Sequence, residues 1–524
     1  MSGSSLQPIR PTMDMTTDHQ REQLQEFHGC GSAGDAQGQT YDLVKACTIL
    51  DLSVPADRER LVEYGLNAEH VARNASDDAA YEQRLRKLVF GNEDDDGVEL
   101  TDPPAGIVPL LRSSHAKQLP YVRTVARFGR FLTVCPATGI PLSSEGSFLL
   151  DTHHIAHRFI GQHIFYLLVG RWHGRRAGLC IPSLNLLILL DAPERGDQIG
   201  LWMTQLMQAL IQRSLKHPTS FRHRFKAPPG RCSLVIGTMP NMGHYFWQEM
   251  SGIDQLVSSG NLKSVDAMLI GSNTWLDPQA VFPELAGLPI TRCSAASEMP
   301  DASLDLPSTL LRPVGMRISV GLKARLRTAS LRAITATKAA QIAEAGARHR
   351  LVWVNLRSHN KAWRSQVDGY ASVLNALQEK FRNVGVVFDG WMDSTDVRDQ
   401  ISARLAPDVA RFDTIGCSFE ESIAWAEAVT TYISVVGSGL VINSWLVRKP
   451  GIAHGNRAHL AQGRFWNSVS EGMEPVSFIP SEAVSGETDL YDGYDFDWQI
   501  LVPRLLEMMS EEKVNRAGKW AMTV

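Results

Sequence analysis

The sequence predicts an α/β fold made of two Rossmann-like lobes, preceded by a helical and β-rich accessory region. Three observations carry this expectation. From residue 231 onward, short charge-poor runs rich in β-branched residues alternate with helical segments, the pattern of parallel sheets with right-handed crossovers. The alternation comes in two series, 231–313 and 346–524, and an Ala/Arg/Lys-rich stretch at 314–345 reads as a helix bridging them. The run 428–456, AVTTYISVVGSGLVINSWLVRKPGIAHGN, reads as strand, glycine turn, helix and strand again.

Taken in chain order, residues 1–40 are polar and poor in large apolar side chains, so a disordered leader is expected. Over 41–100, LVKACTIL, DRERLVEYGL and DAAYEQRLRKLVF have helical apolar spacing, and the acidic GNEDDDG after Phe90 reads as a solvated turn. Over 101–230 the texture is β-type. TVARFGRFLTV, SFLLD, HIFYLLVGRW and GLCIPSLNLLILL are punctuated by Gly and Pro, and an amphipathic helix follows at 199–214. The first lobe opens with strand SLVIG at 233–237 and the loop TMPNMGHYF. A helix over 246–257, a strand over 265–271 and a linker-like stretch over 300–313 follow. The second lobe reads as strand 350–356, helix 370–381, strand 384–389, helices 396–405 and 419–428, and then the glycine-turn run. Ser418 is placed to cap the last of these helices, with Glu421 in the capping-box position. Arg448 and Lys449 complement a helix C-terminus that Pro450-Gly451 stops.

With 524 residues the chain needs two or three domains. Its 52 basic and 56 acidic residues give a net charge of −4, and no basic stripe with interleaved aromatics argues for a nucleic-acid partner. Seven scattered cysteines without a CxxC pair fit a reducing compartment, not a disulfide framework or zinc cluster. His153, His154, His157 and His163 cluster without HExxH spacing or a cysteine, so no metal is expected there. The N-terminal residues lack the apolar core of a signal peptide, and the most apolar run, 179–190, is broken by Pro182 and Asn185 and too short to span a bilayer. These features read as a cytoplasmic protein, compatible with peripheral contact at the inner face of a membrane.

Ligands of open α/β sheets bind beyond the carboxyl ends of the strands, which singles out three polar loops. GHYFWQE, 243–249, offers His244 as a general base, with Glu249 to orient or replace it. A packing role for both is the plainer alternative. NLRSHNKAW, 355–363, gathers Asn355, Arg357, His359 and Lys361 at a strand end, chemistry suited to a departing diphosphate. In the third, Gly437, Ser438 and Gly439 leave helix N-terminal amides open to an anion. Glu420 or Glu421 would contact a ribose hydroxyl or serve the cap alone. Asp389, with Trp391 just after it, is a candidate for a ribose or base contact.

The order helix, strand, Gly-Ser-Gly turn, helix and then RKPGIAHGN resembles the donor half of a GT-B glycosyltransferase. More narrowly, GHYFWQE, the basic loop and VVGSGLVIN are similar to three blocks of family-61 glycosyltransferases, H-W-x-x-D-E, an Arg-containing block and G-A-G-L-x-N. The similarity spans about 231–456. Gln248 stands where that family has an acid, Ser251-Gly252 replaces its Pro-Arg, and Asn443 is displaced by one position. The resemblance implies metal-independent, inverting transfer of a hexosyl or pentosyl group, as in polysaccharide biosynthesis. The donor would be a nucleotide sugar, a substrate and not a cofactor, and the acceptor a glycan, a lipid-linked glycan or a protein. It further implies that Gly437, Ser438, Gly439 and Asn443 face the donor, that Arg357 and Lys361 neutralise the leaving group, and that His244 or Glu249 deprotonates the acceptor. No DxD motif suited to a metal-dependent transferase stands at a strand end. Two rival readings are a non-catalytic nucleotide- or glycan-binding regulator and a sugar-nucleotide epimerase.

Overall fold

The computed structural model describes residues 48–75, 79–90, 121–152, 154–170, 175–190, 230–306, 308–486 and 491–511. The expected leader, the acidic turn after Phe90 and the helix over 199–214 lie outside them. The accessory strands are β1 (Thr48–Asp51), β2 (Leu132–Val134), β3 (Pro141–Ser143), β4 (Gly146–Leu149), β5 (His154–Ile160), β6 (Ile164–Gly170), β7 (Arg175–Ile181) and β8 (Leu186–Leu189). Six of them form one sheet in the order β1-β8-β7-β6-β5-β4, and β2 with β3 makes a separate antiparallel pair. All neighbours in the larger sheet are antiparallel except β1, which lies parallel to β8.

Two local expectations change here. The end of LVKACTIL was expected to be helical, yet Thr48–Asp51 is strand β1, because a four-residue apolar run completes an open sheet edge at β8 more readily than it nucleates a helix. The helices are instead Pro55–Arg60, Ala68–Ala75 and Ala79–Phe90. The run TVARFGRFLTV was expected to be one strand, but residues 121–128 are helical and only β2 is extended. Tyr121, Val122, Val125 and Ala126 are buried at helical, not alternating, spacing.

The first lobe contains β9 (Cys232–Ile236), β10 (Val265–Ile270), β11 (Ile290–Arg292) and β12 (Thr309–Leu311), all parallel, in the order β11-β10-β9-β12. Every residue of β9 is buried, as befits a strand covered on both faces. The stretch read as a linker is structured: it holds helix Met299–Leu304 and β12, which pairs with β9. Strand β12 also joins the lobe to the accessory sheet. Leu310 N donates to Ser147 Oγ at 2.6 Å and Leu149 N to Ser303 Oγ at 2.9 Å. Leu149 and Ile155 share an apolar cluster with Val235, Leu269, Met299 and Leu310.

The bridge is two helices, Val320–Ala333 and Ala336–Arg348, not one. Thr335 is extended, and its side chain accepts a hydrogen bond from Lys338 N, so the sequence caps a new helix where a continuous one would have run. The second lobe contains β13 (Arg350–Asn355), β14 (Val384–Asp389), β15 (Ala410–Asp413), β16 (Thr431–Val435), β17 (Gly451–His454) and β18 (Ser477–Phe478). The sheet is parallel throughout, ordered β15-β14-β13-β16-β17-β18. The winding reverses between β13 and β16, which opens a crevice beyond their carboxyl ends. Helix Phe419–Ala428 begins at Ser418, whose side chain accepts from Glu421 N.

The lobes meet through aromatic side chains. Phe246 stacks on Phe419 with ring centroids 5.0 Å apart, and Trp247 lies 5.4 Å from Phe465. Gly243 brings its backbone against the other lobe: a Cβ there would stand 3.5 Å from Val441 Cγ2. The chain is thus an α/β protein of two Rossmann-like lobes with the accessory sheet docked on the first. Among the described residues no helix is long and apolar enough to cross a membrane.

Candidate active site between the lobes

The crevice at the reversal point begins with the loop after β13. Its backbone is pinned by Gln366, whose Oε1 accepts from Arg357 N at 3.2 Å while its Nε2 donates to Arg357 O at 2.6 Å. The Arg357 side chain is buried, and no carboxylate among the described residues lies within ion-pair distance of it. Its Nη2 reaches Ser438 Oγ at 3.4 Å, and its Nε has no hydrogen-bond partner among the described residues. Burial pulls the guanidinium pKa down, while Asp389 pulls it up from a distance. A guanidinium stays protonated in proteins, so this is a buried positive charge without an adjacent counterion.

The glycine turn is shaped by two different demands. Gly437 has φ 144° and ψ −157°, a conformation closed to residues with a Cβ. Gly439 is required by crowding, since a Cβ there would lie 2.2 Å from Asn355 Oδ1. The helix that follows runs through Ser438–Leu440 and widens into a π-helical turn over Val441–Leu446. The first lobe repeats this device. Asn241 caps Met242–His244, and a π-helical turn over Tyr245–Met250 follows. Such turns recur at functional sites because they re-aim side chains within a helix.

Asp389 closes β14 beneath the crevice. Asn355 Nδ2 donates to its Oδ2 at 2.7 Å, and Thr414 Oγ1 lies 3.4 Å from its Oδ1. Burial outweighs these hydrogen bonds and Arg357, raising the carboxyl pKa to about 6. Deeper still, Tyr494 OH lies 2.7 Å from His454 Nδ1, His454 Nε2 lies 2.9 Å from Tyr370 OH, and Tyr370 OH donates to Asn355 O at 3.0 Å. One proton order satisfies the whole chain: Tyr494 donates to Nδ1, Nε2–H donates to Tyr370, and Tyr370 donates to the backbone. Burial keeps His454 neutral, its pKa down at about 3, as this order requires.

The open part of the crevice is a cleft of about 600 Å³ lined by Asn241, Arg357, His359, Lys361, Trp391, Met392, Asp393, Gly437 and Ser438, among others. His359 Nδ1 lies 3.1 Å from Asp393 Oδ2 at the exposed rim. Lys361, with φ 53°, donates its backbone N–H to Tyr491 O at 3.0 Å and holds its Nζ 4.9 Å above the Tyr491 ring. The basic loop and the glycine turn therefore meet at one place, 81 residues apart in sequence from Arg357 to Ser438.

The remaining candidates fall elsewhere. His244 is part-exposed, three residues beyond cleft-lining Asn241, its ring 5.4 Å from Trp247. Glu249 is wholly enclosed. Its Oε2 accepts from Gly237 N at 2.7 Å, and its Oε1 accepts from Thr238 N at 3.2 Å and Thr238 Oγ1 at 2.7 Å. Arg312 Nε lies 3.8 Å away. This carboxylate holds the loop after β9. Asn443 is fully buried in the π-helical turn, and neither of its side-chain amide atoms has a hydrogen-bond partner among the described residues. Glu421 lies 3.9 Å from Lys338 of the bridge. Of the four histidines between 153 and 163, the first lies outside the described residues. His154 pairs with Asp151, His157 with Tyr121 and His163 with Ser183.

One residue with little sequence signal lies within electrostatic reach of the basic loop. His459 is buried beside Asn456, whose Oδ1 faces its Nδ1 at 2.8 Å. Burial first, then the Lys361 and Arg357 cations, hold its pKa down to about 3. Its lone pair lies on Nε2, since Nδ1–H is the donor to Asn456. Only its place in the short helix that follows β17 hinted at it.

Solved structures similar to this chain include two glycosyltransferases. One is the E. coli ADP-heptose lps heptosyltransferase II, 12% identical, with a TM-score of 0.31 over 54% of this chain and 99% of that one. The other is a glycosyl transferase of family 9 from Veillonella parvula, 9% identical, with a TM-score of 0.33 over 54% of this chain and 97% of that one. No family model matches the sequence, and no curated protein matches it.

Proposed function

We propose that the chain is a glycosyltransferase that takes its sugar from a nucleotide-sugar donor held by the second lobe. The observation that supports this most directly is Arg357, a buried cation without a neighbouring carboxylate, opening on a cleft at the reversal point of a parallel sheet. A bound diphosphate would supply the missing counter-charge. Lys361 and His359 would add donors at the rim, and the Ser438 hydroxyl and turn amides would add donors at the floor. Asn355 and Asp389 would set the floor's shape and charge, with Gly437 and Gly439 allowing the close approach. Asn443 would act from within the helix.

In this reading the diphosphate leaves as the sugar passes to an acceptor hydroxyl, and cationic side chains stabilise the charge that develops on it. His244 would take the acceptor proton, since the cap at Asn241 brings the start of its helix to the cleft. Glu249, with both oxygens occupied, would position that loop and not exchange protons. An inverting outcome, independence from metals, the identity of the sugar and the acceptor, and a place at the inner face of a membrane belong to this proposal. The narrower likeness to family 61 rests on the three sequence blocks alone.

Titration with nucleoside diphosphates and turnover assays on variants test it. Arg357→Ala should weaken diphosphate binding by one to two orders of magnitude, the scale of a charge-assisted contact. His244→Ala should retain donor binding and lose roughly 100-fold or more in turnover, the usual share of a general base. A chain that binds no nucleoside diphosphate, or whose two variants keep full activity, is not the enzyme proposed.

A further inference from the structure

Part of the cleft lining is not used by the anion chemistry. Beyond Asp389 the chain turns out of the sheet, and Trp391 and Met392 line the same cavity as Arg357 and Ser438 while remaining 50% and 67% exposed. Two adjacent large apolar side chains left open on the wall of a cleft form a patch that a ligand can cover. Their position is fixed and not frayed. Ser394 N donates to Trp391 O at 2.9 Å, Gly390 sits tightly over Leu356 and Ser394, and Trp275 of the first lobe packs edge-on to Trp391 with centroids 6.3 Å apart. Trp275 is backed in turn by Phe419, 6.0 Å away. Met392 Sδ approaches Gly416, which has φ 79°, closing the shelf on its far side.

The cleft offers cationic donors and an exposed aromatic face together, which suits a ligand that carries both negative charge and a flat apolar ring. We infer that Trp391, flanked by Met392 and steadied from the opposite lobe by Trp275, is the stacking platform for the nucleobase of the bound nucleoside diphosphate. This rests on the proposed function and adds the residues that select the nucleotide moiety. Stacking tolerates any base, so the shelf distinguishes a nucleotide from a bare diphosphate more than one base from another. Because the platform draws a side chain from each lobe, a bound base also bears on the seam between them.

The test compares inorganic pyrophosphate, UDP and ADP by calorimetric titration of the full chain, wild type against Trp391→Ala and Trp391→Phe. The inference expects both nucleotides to bind more tightly than pyrophosphate. Trp391→Ala should weaken UDP and ADP by roughly tenfold or more while pyrophosphate affinity is kept, and Trp391→Phe should recover most of the loss. Equal affinities for nucleotide and pyrophosphate, or nucleotide binding indifferent to Trp391→Ala, would overturn the shelf and leave the diphosphate site standing. Failure of all three ligands to bind wild type would overturn both. If Trp391→Ala raises the KM for an acceptor glycan and not for the nucleotide, the shelf holds a sugar ring, and the inference is likewise overturned.

Discussion

Asp389 and His454 end strands of the same sheet, and burial displaces their titrations in opposite senses for stability. Asp389 is raised from 3.8 to about 6, so between those values the folded chain binds more protons than the unfolded chain. Its contribution to stability therefore falls as pH rises through that window, by on the order of 3 kcal/mol in all. His454, depressed from 6.5 to about 3, works the other way: its neutral form is favoured by folding, and stability falls as pH drops from 6.5 towards 3. Asp389→Asn should remove the first slope while leaving the second. Chemical denaturation of the variant and the wild type at pH 4 and pH 7 measures this, and the two chains should differ more at pH 7. At this scale the sequence was legible where charge was unusual for its place. Asp389 stood out as a charge ending an apolar strand, and Arg357 and Lys361 as charges in the loop that follows one. The hydrogen bonds that occupy Glu249 and the cations around His459 were not legible, because a sequence shows that a side chain can titrate but not what its atoms meet.

Among the elements, the turn after β16 carries the sharpest constraint. Gly439→Ala places a methyl against the Asn355 amide, which itself holds Asp389, so nothing on that side can yield cheaply. The variant should lose about 1–3 kcal/mol of stability, as other overpacked sites do, and should lose nucleoside diphosphate binding with it. Thermal melting with and without ADP reads both effects. Strands β9, β13, β14 and β16 could be read from sequence because a strand covered on both faces is an unbroken apolar run. Strand β1, helix 121–128 and strand β12 could not. Each is short, and its conformation is decided by the partner it meets: β8, the accessory core and β9. The bridge misread as one helix shows the reverse, a local signal overlooked. Thr335 and Lys338 stand three residues apart in a capping relation within an otherwise helix-favouring stretch.

Across the whole molecule the two lobes are joined by an aromatic seam, with Phe419 touching both Phe246 and Trp275. Phe419→Ala removes two such contacts, worth about 1–3 kcal/mol together. The lobes should then lose coupling, and calorimetry should show a broadened or split transition where the wild type gives one. The two-lobe plan was visible in the alternation of strands and helices; the accessory region's attachment was not, since it depends on side-chain hydroxyls meeting backbone amides far along the chain. That attachment governs how the protein is made. The accessory sheet is translated first, yet Ser147 waits for Leu310, 163 residues later, before its apolar cluster can close. While the ribosome adds those residues, at about 5–20 per second, the Leu149–Ile155 face stays uncovered for some ten to thirty seconds. A nascent chain paused before residue 310 should be the form that chaperones engage, and release should follow the emergence of β12.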